Sequence, residues 1–344
     1  MAILKAFRGL RPPKEIAKQL ASRPYDVLNS KEARIEAEGN PYSLLHIIKP
    51  EIDLPEGIDE HAPEVYQKAK DNFAAFRENG WLVQDEEECL YIYAQTMNGK
   101  TQYGIVGGAG VDDYLNGVIK KHELTRHEKE EDRMKMVRIT DANMEPVFFS
   151  YPAKPELDNL IMDYAKSNEA EYDFTAEDGI GHHVWVIREK DVIEKVISLF
   201  AELPATYVAD GHHRTAAAAL VGKEKRGKNP NYDGSEEFNY FLAVHFPDNQ
   251  LSIIDYNRVV KDLNGMSAAE FVDKLGENFE VEKMGPEIYK PGKLHEFSMY
   301  VEGNWYKMVA KAGTYNDNDP IGVLDVTIMS SLLFDKLLDI KEFR

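Results

Sequence analysis

The chain has 344 residues, enough for one large domain or two ordinary ones. Hydrophobic residues make up 43% and charged residues 29%, the balance of a folded globular protein, and no apolar run approaches a membrane span. The net charge is −19 with no basic stripe, which argues against a nucleic-acid partner, and a single cysteine, Cys89, excludes an intrachain disulfide, a zinc knuckle and a CxxC motif.

The N-terminal stretch M-A-I-L-K-A-F-R-G-L-R-P-P has no long apolar core and no cleavage site, so the cytoplasm is the expected compartment. Residues Pro12–Gly39 read as helical, interrupted at Pro24-Tyr25-Asp26, and Tyr42–Ile48 as an apolar strand or buried turn. Val65, Ala69, Phe73 and Phe76 recur at helical spacing, which predicts an amphipathic helix over Ala62–Asn79, stopped by Asn79-Gly80. Asn98-Gly99 predicts a tight hairpin between strands Cys89–Gln95 and Thr101–Val106. The run Gly107-Gly108-Ala109-Gly110 invites a dinucleotide-loop reading. It fails the G-x-G-x-x-G spacing, and the acidic V-D-D-Y-L that follows would repel a pyrophosphate.

Lys121–Asp141 is dense in charge, as a solvated helix face would be, yet contains two histidines. Leu157–Ser167 is a further helix, Thr175–Gly179 a turn, His182–Ile187 a strand and Asp191–Leu203 an amphipathic helix. Strand Ala205–Ala209, a turn at Asp210-Gly211, an alanine-rich helix from Arg214 and strand Tyr240–Phe246 complete an α/β core. Pro247–Gln250 turns into an expected strand Leu251–Tyr256. Beyond Asn264, Ser267 and Glu270 form a capping box for a helix to Leu275. Strand Phe279–Val281, a hairpin of His295–Val301 with Trp305–Ala310, and a closing helix Val326–Leu338 follow. The fold class is α+β, divided into a core at residues 1–260 and a small α+β module at 261–344.

Half of the ten histidines lie in three polar segments: His122-Glu123-Leu124-Thr125, Asp178 with His182 and His183, and Asp210–Arg214. The third segment, Y-V-A-D-G-H-H-R-T-A-A-A-A-L, places a carboxylate, two imidazoles and a guanidinium where a helix begins. Helix N-terminal amides and Arg214 suit a phosphate there, and Gly211 lets it approach the backbone. A plain surface turn capped by Asp210 is the competing reading. Strands His182–Ile187 and Ala205–Ala209 flank one helix, so they are expected to lie side by side and bring both histidine pairs to one sheet edge. Tyr91, Tyr93 and Tyr103 read as cross-strand packing, and Met134 and Met136 as core. Arg8 and Arg11 read as structural ion-pairing residues at least as readily as ligand contacts.

The D-G-H-H-R turn opening an alanine-rich helix resembles the turn of the ParB/sulfiredoxin superfamily, which includes nucleotide-dependent free-serine kinases. The chain as a whole resembles the bacterial and archaeal family of domain of unknown function 1015. It carries F-R-G-L-R at Phe7–Arg11, N-P-Y-S-L-L-H at Asn40–His46, H-E-L-T at His122–Thr125 and D-R at Asp132-Arg133. D-G-I-G-H-H-V-W at Asp178–Trp185, A-D-G-H-H-R, and Y-N-R-V-V at Tyr256–Val260 follow in the family's order. Members of that family usually run further, so the C-terminal module is expected to be short or incomplete. Sulfiredoxin chemistry needs a cysteine in the turn, and a histidine stands here instead.

The kinase resemblance implies Mg²⁺-dependent phosphoryl transfer, with ATP or ADP as the phosphate donor, to a small hydroxyl compound such as free serine. Gly211, His212, His213, Arg214 and Thr215 would hold phosphates, Asp210 the Mg²⁺, and Glu123 would take the acceptor's proton beside His122. Thr125, Arg133, Asp178 and His182 would complete the pocket, with Asp178 or Asp132 orienting base or metal. The partners are then a nucleotide and a small-molecule substrate, with no nucleic acid and no membrane. Two alternatives stay open: a metal-dependent hydrolase and a non-catalytic nucleotide sensor. Adjacent histidines on a strand point to opposite faces, so His182 and His183 cannot share a metal, and H-E-x-x-H is absent.

Overall fold

A computed structural model of the chain describes residues 1–122, 125, 127–255, 257–319 and 321–341. It forms two compact units, Met1–Ile253 and Ile254–Arg344, against an expected division after residue 260.

The first unit is built on a nine-stranded mixed sheet. Its strands are β1 (Leu4–Lys5), β4 (Leu90–Met97), β5 (Lys100–Gly110), β6 (Ile119–Lys120), β7 (Val147–Tyr151), β8 (Tyr172–Thr175), β9 (Gly181–Ile187), β10 (Thr206–Asp210) and β11 (Tyr240–Pro247). They lie in the order β6-β10-β7-β11-β5-β4-β9-β8, with β1 added beside β5. β2 (Leu10–Arg11) and β3 (Val83–Gln84) pair separately. The hairpin β4–β5 turns through Asn98 (φ 52°) and Gly99 (φ 78°), the left-handed pair that a two-residue turn requires. The glycine run Gly107–Gly110 is strand, not loop: a Cβ on Gly107 would lie 2.5 Å from Leu4, so the glycines let β1 close on β5.

The helices of this unit are α1 (Ala17–Leu20), α2 (Ser30–Ala37), α3 (Leu45–Ile48), α4 (Pro63–Glu78), α5 (Val111–Leu115), α6 (His127–Thr140), α7 (Pro155–Ser167), α8 (Lys190–Ala201) and α9 (His212–Lys228). One sheet face buries Leu90, Ile92, Ile105 and Trp185 against Leu157 and Ile161 of α7 and Val196 and Phe200 of α8. Further along that face, Phe149, Val208, Phe241 and Ala243 meet Ala218 and Ala219 of α9. Alanines are the residues that let α9 come this close to the strands. α6 packs on α9 through Met134, Ala217 and Val221, so Met134 and Met136 are core, as expected. Arg11 is structural: it pairs with both oxygens of Asp85 (2.8 and 2.7 Å), with Glu171 and with the Tyr172 hydroxyl.

Two local readings are corrected. Tyr42–Ile48 contains helix α3 rather than a strand, because Leu45, Ile47 and Ile48 pack among helices. Residues 251–255 form no strand, and Ile253 and Ile254 stand exposed. Between Pro12 and Gly39 a short 3₁₀ turn and α1 are separated from α2 by a break at residues 21–29 around Pro24-Tyr25-Asp26, as expected.

The second unit packs α10 (Ala268–Leu275) against a three-stranded sheet of β12 (Phe279–Gly285), β13 (Glu296–Val301) and β14 (Asn304–Ala310). Ser267 and Glu270 form the reciprocal capping box. The closing segment is α11 (Asp325–Met329) followed by a π-helical turn at Ser330–Asp335. Phe271, Leu275, Phe279, Met308, Leu332 and Leu333 make its core. Both units combine helices with antiparallel or mixed sheet, an α+β fold.

Candidate functional site

The D-G-H-H-R segment folds as a strand, a one-residue turn and a helix. β10 ends at Asp210, Gly211 takes φ +89° and ψ 36°, and α9 begins at His212. The left-handed glycine is what allows the chain to leave the sheet and enter the helix at once. Among the described residues no side chain caps α9, so its first turn keeps the partial positive charge of a helix N-terminus.

Arg214 closes over this turn. Its Nη2 donates to Asp210 Oδ2 (2.8 Å) and its Nη1 to the Pro146 carbonyl (3.0 Å), while its buried Nε has no partner among the described residues. Asp210 is two-thirds exposed and Arg214 nearly buried. His212 is buried, and the His122 backbone N–H makes a long 3.5 Å contact with its Nε2. The two rings meet edge to face at 4.4 Å. His122, 88 residues earlier than Asp210, is therefore brought to the turn. His213 is half-buried at the second position of α9.

Thr215 does not offer its hydroxyl to a ligand. It is fully buried and donates to the Gly211 carbonyl (2.9 Å), which ties the first helical turn to the glycine. Thr125 Oγ1 donates to Glu130. Glu123 lies outside the described residues.

Beneath the turn, Arg214 lines a pocket of about 490 Å³, its open mouth included, together with Arg133 and Glu145 among apolar residues such as Met136, Met144 and Phe241. Glu145 accepts from the Tyr25 backbone N–H (3.2 Å), and burial raises its carboxyl pKa although Arg214 and Arg133 oppose the rise. Arg133 sits 3.9 Å from the Tyr25 ring centre and donates through Nε and Nη2 to Asp132 (2.8 and 2.6 Å). Asp132 also accepts from the Tyr66 hydroxyl and from His61 Nδ1 (3.0 Å). Burial would raise the Asp132 carboxyl, but Arg133 and Tyr66 hold it below its ordinary value. Glu145, Tyr25 and His61 carry no motif that sequence reasoning could single out. The D-R pair at Asp132-Arg133 was the one sequence pointer to this network.

Asp178 and His182 do not join this site. Strands β9 and β10 are not neighbours: β7, β11, β5 and β4 lie between them. Five strand spacings amount to roughly 24 Å along the sheet. The expected side-by-side placement fails because the hairpin β4–β5 and strands β7 and β11 fill the sheet's centre. Asp178 Oδ1 instead accepts from Ile180 N–H (2.9 Å) in the β8–β9 turn. His182 Nδ1 meets the Tyr93 hydroxyl at 2.7 Å, and that hydroxyl accepts from Gln95 Nε2 (2.9 Å). The Tyr93 proton then points at Nδ1, and the ring carries its own proton on Nε2. Burial lowers the His182 pKa, so it stands neutral. His183 points the other way, to Asp173 (2.9 Å) and Thr96 (3.1 Å).

Among the described residues, no group of three or more His, Cys, Asp or Glu side chains could hold a metal, and no helix is long and apolar enough to cross a membrane. A cation held mainly by phosphates and water needs only one or two carboxylates. Asp210, exposed beside the turn, fits that lesser demand.

Residues 4–327 match the model of a family described as protein of unknown function (DUF1015). The chain belongs to this family. Comparison with curated proteins and with solved structures gives no match. His122 and the A-D-G-H-H-R segment meet at the α9 N-terminus through the His122 and His212 rings, whereas Asp178–Trp185 lies across the sheet.

Proposed function

We propose that the chain binds the phosphates of a nucleotide at the β10–α9 turn and transfers a phosphoryl group to a small hydroxyl compound with Mg²⁺. The observation that carries this reading is the α9 N-terminus itself: a left-handed Gly211, no side-chain cap among the described residues, and the Arg214 guanidinium laid against the glycine. Backbone amides, the helix dipole and a guanidinium converge there, the combination that suits a phosphate. His122, His212 and His213 add polar groups beside the same turn. Asp210 would give one carboxylate to a Mg²⁺ that bridges phosphate oxygens and neutralises charge in transfer.

The resemblance to the ParB/sulfiredoxin superfamily and its serine kinases supports transfer, with free serine as the model acceptor. The pocket holding Arg133, Glu145 and Arg214 is where the acceptor would lie. Such an enzyme draws its nucleotide from the cytoplasm.

Calorimetric titration with ADP, ATP, CTP and pyrophosphate, with and without Mg²⁺, tests the reading. Binding that strengthens with Mg²⁺ is expected. Absence of binding by all four removes it and leaves a metal hydrolase as the alternative. Binding without turnover makes the protein a nucleotide sensor.

A further inference from the structure

The pocket beneath the β10–α9 turn leaves one donor and one acceptor open. Among its described lining residues the charged ones are Arg133, Arg214 and Glu145. Arg214 is engaged: its terminal nitrogens serve Asp210 and the Pro146 carbonyl, and its Nε is buried. Arg133 is not. It donates from Nε and Nη2 to Asp132 Oδ2, and its Nη1 has no partner among the described residues. Glu145 accepts from the Tyr25 N–H at Oε1, and its Oε2 likewise has none. Neither open atom is sealed from solvent. Among the described residues Glu145 forms no ion pair, although both guanidiniums are near enough to oppose the rise in its pKa that burial causes.

Tyr25 holds the two open groups in place. Its ring centre lies 3.9 Å from the Arg133 guanidinium carbon, and its backbone N–H is 3.2 Å from Glu145. Around them the wall is apolar, with Met136, Met144, Ala217 and Phe241. A ligand that satisfies this pocket brings an anionic acceptor to Arg133 and a hydrogen-bond donor to Glu145. Two cationic side chains against one carboxyl favour a ligand that carries negative charge, and the apolar wall favours a short carbon chain.

We propose that this pocket takes a small hydroxy acid, its carboxylate on Arg133 Nη1 and its hydroxyl donating to Glu145 Oε2; that this acid is the phosphoryl acceptor rests on the nucleotide-dependent reading above. Glycerol lacks the carboxylate and propionate lacks the hydroxyl, so each leaves one of the two open groups unmet.

Glycerate, lactate, L-serine, glycerol and propionate, titrated into the whole protein without nucleotide, test the pocket. At least one of the three hydroxy acids should bind about tenfold or more tightly than either glycerol or propionate. The methyl signals of Met136 and Met144 should shift in the ¹³C spectrum as it binds. Glu145→Gln keeps the side chain's size and its acceptor for the Tyr25 N–H, but puts an NH₂ donor where Oε2 accepts. It should remove most of the hydroxy acid's advantage over propionate, whereas a merely structural Glu145 would leave that ratio unchanged. Arg133→Gln should remove the advantage over glycerol. If that variant fails to fold because Asp132 loses its partner, the wild-type series and Glu145→Gln still decide. Equal binding of all five compounds, binding by none of the hydroxy acids, or binding that leaves both methionine methyls in place overturns the proposal. Nucleotide binding without acid binding fails the pocket alone. Acid binding without ATP or ADP binding upholds the acid site and removes the nucleotide reading, and the acceptor role with it.

Discussion

Arg214 lies flat against Gly211. A Cβ added to Gly211 would sit 3.1 Å from Arg214 Nη2 and 3.2 Å from Nε, and the glycine's φ of +89° is a conformation that side-chain-bearing residues rarely adopt. The sequence D-G-H-H-R therefore encodes one object: the glycine makes the turn and leaves room for the arginine that closes over it. Gly211→Ala should cost about 1–2 kcal/mol for the left-handed backbone, and it should also push the guanidinium away from Asp210. Urea denaturation would read the first effect and ADP titration the second. An alanine variant with wild-type stability and affinity would show that the turn tolerates a side chain.

Arg214→Ala should weaken nucleotide binding by roughly 1.5–3 kcal/mol, the worth of a hydrogen bond to a charged group. Arg214→Lys should recover little of it, because an ammonium cannot reach Asp210 and the Pro146 carbonyl together as the planar guanidinium does. Calorimetry on both variants checks this. Full rescue by lysine would mean that charge alone matters at the turn.

Much of the local structure was legible because short-range rules decide it. Asn98-Gly99 has room for few conformations other than a tight hairpin turn, and Ser267 with Glu270 can satisfy each other's backbone donors without outside help. The strand–turn–helix around Gly211 is of the same kind. What the sequence hid is long-range. β9 and β10 follow one another through α8, and nothing local says that four strands will insert between them. His61 and Asp132 are 71 positions apart, and only the packing of α4 on α6 makes them partners. Leu251–Tyr256 reads as a strand, yet among the described residues 251–255 pair with no strand.

The far histidine pair should prove structural. Tyr93→Phe removes the hydroxyl that serves His182 Nδ1 and receives from Gln95. Leaving a half-buried nitrogen without its donor should cost about 1–3 kcal/mol in urea denaturation. Nucleotide titration should be unaffected, because β9 stands across the sheet from β10. Loss of affinity in this variant would place His182 in the binding site after all.

His46 should make stability fall in alkaline solution. Its Nδ1 faces Asp53 (2.8 Å) and its Nε2 the Asn40 carbonyl (3.1 Å), so both nitrogens must donate and the ring is an imidazolium. The hydrogen bond to Asp53 raises its pKa above the ordinary 6.5. A folded-state pKa raised in this way gives stability that is complete below the unfolded value and is lost as pH rises through the folded one. His46→Gln should therefore be less stable than wild type at pH 6, and the gap should narrow by pH 9. A gap that is constant across that range would mean the ring is held neutral.

His245 should act in the opposite direction. It is fully buried on β11, 5.2 Å from the Phe149 ring and 4.8 Å from the Phe200 ring, and neither nitrogen has a partner among the described residues. Burial alone pushes its pKa down from 6.5 to about 3. The unfolded chain then binds a proton that the folded chain refuses, so stability is complete above the unfolded value. It is lost as pH falls from there toward the folded one. At pH 4.5 the loss from this residue should be about 2–3 kcal/mol, two pKa units of proton linkage. His245→Leu keeps the volume and removes the titration. It should unfold at a similar urea concentration to wild type at pH 7 and at a clearly higher one at pH 4.5. If the two proteins lose stability in parallel below pH 6.5, the acid sensitivity belongs to paired carboxylates such as Asp85 and Asp132, and His245 finds a proton donor or acceptor that keeps it solvated.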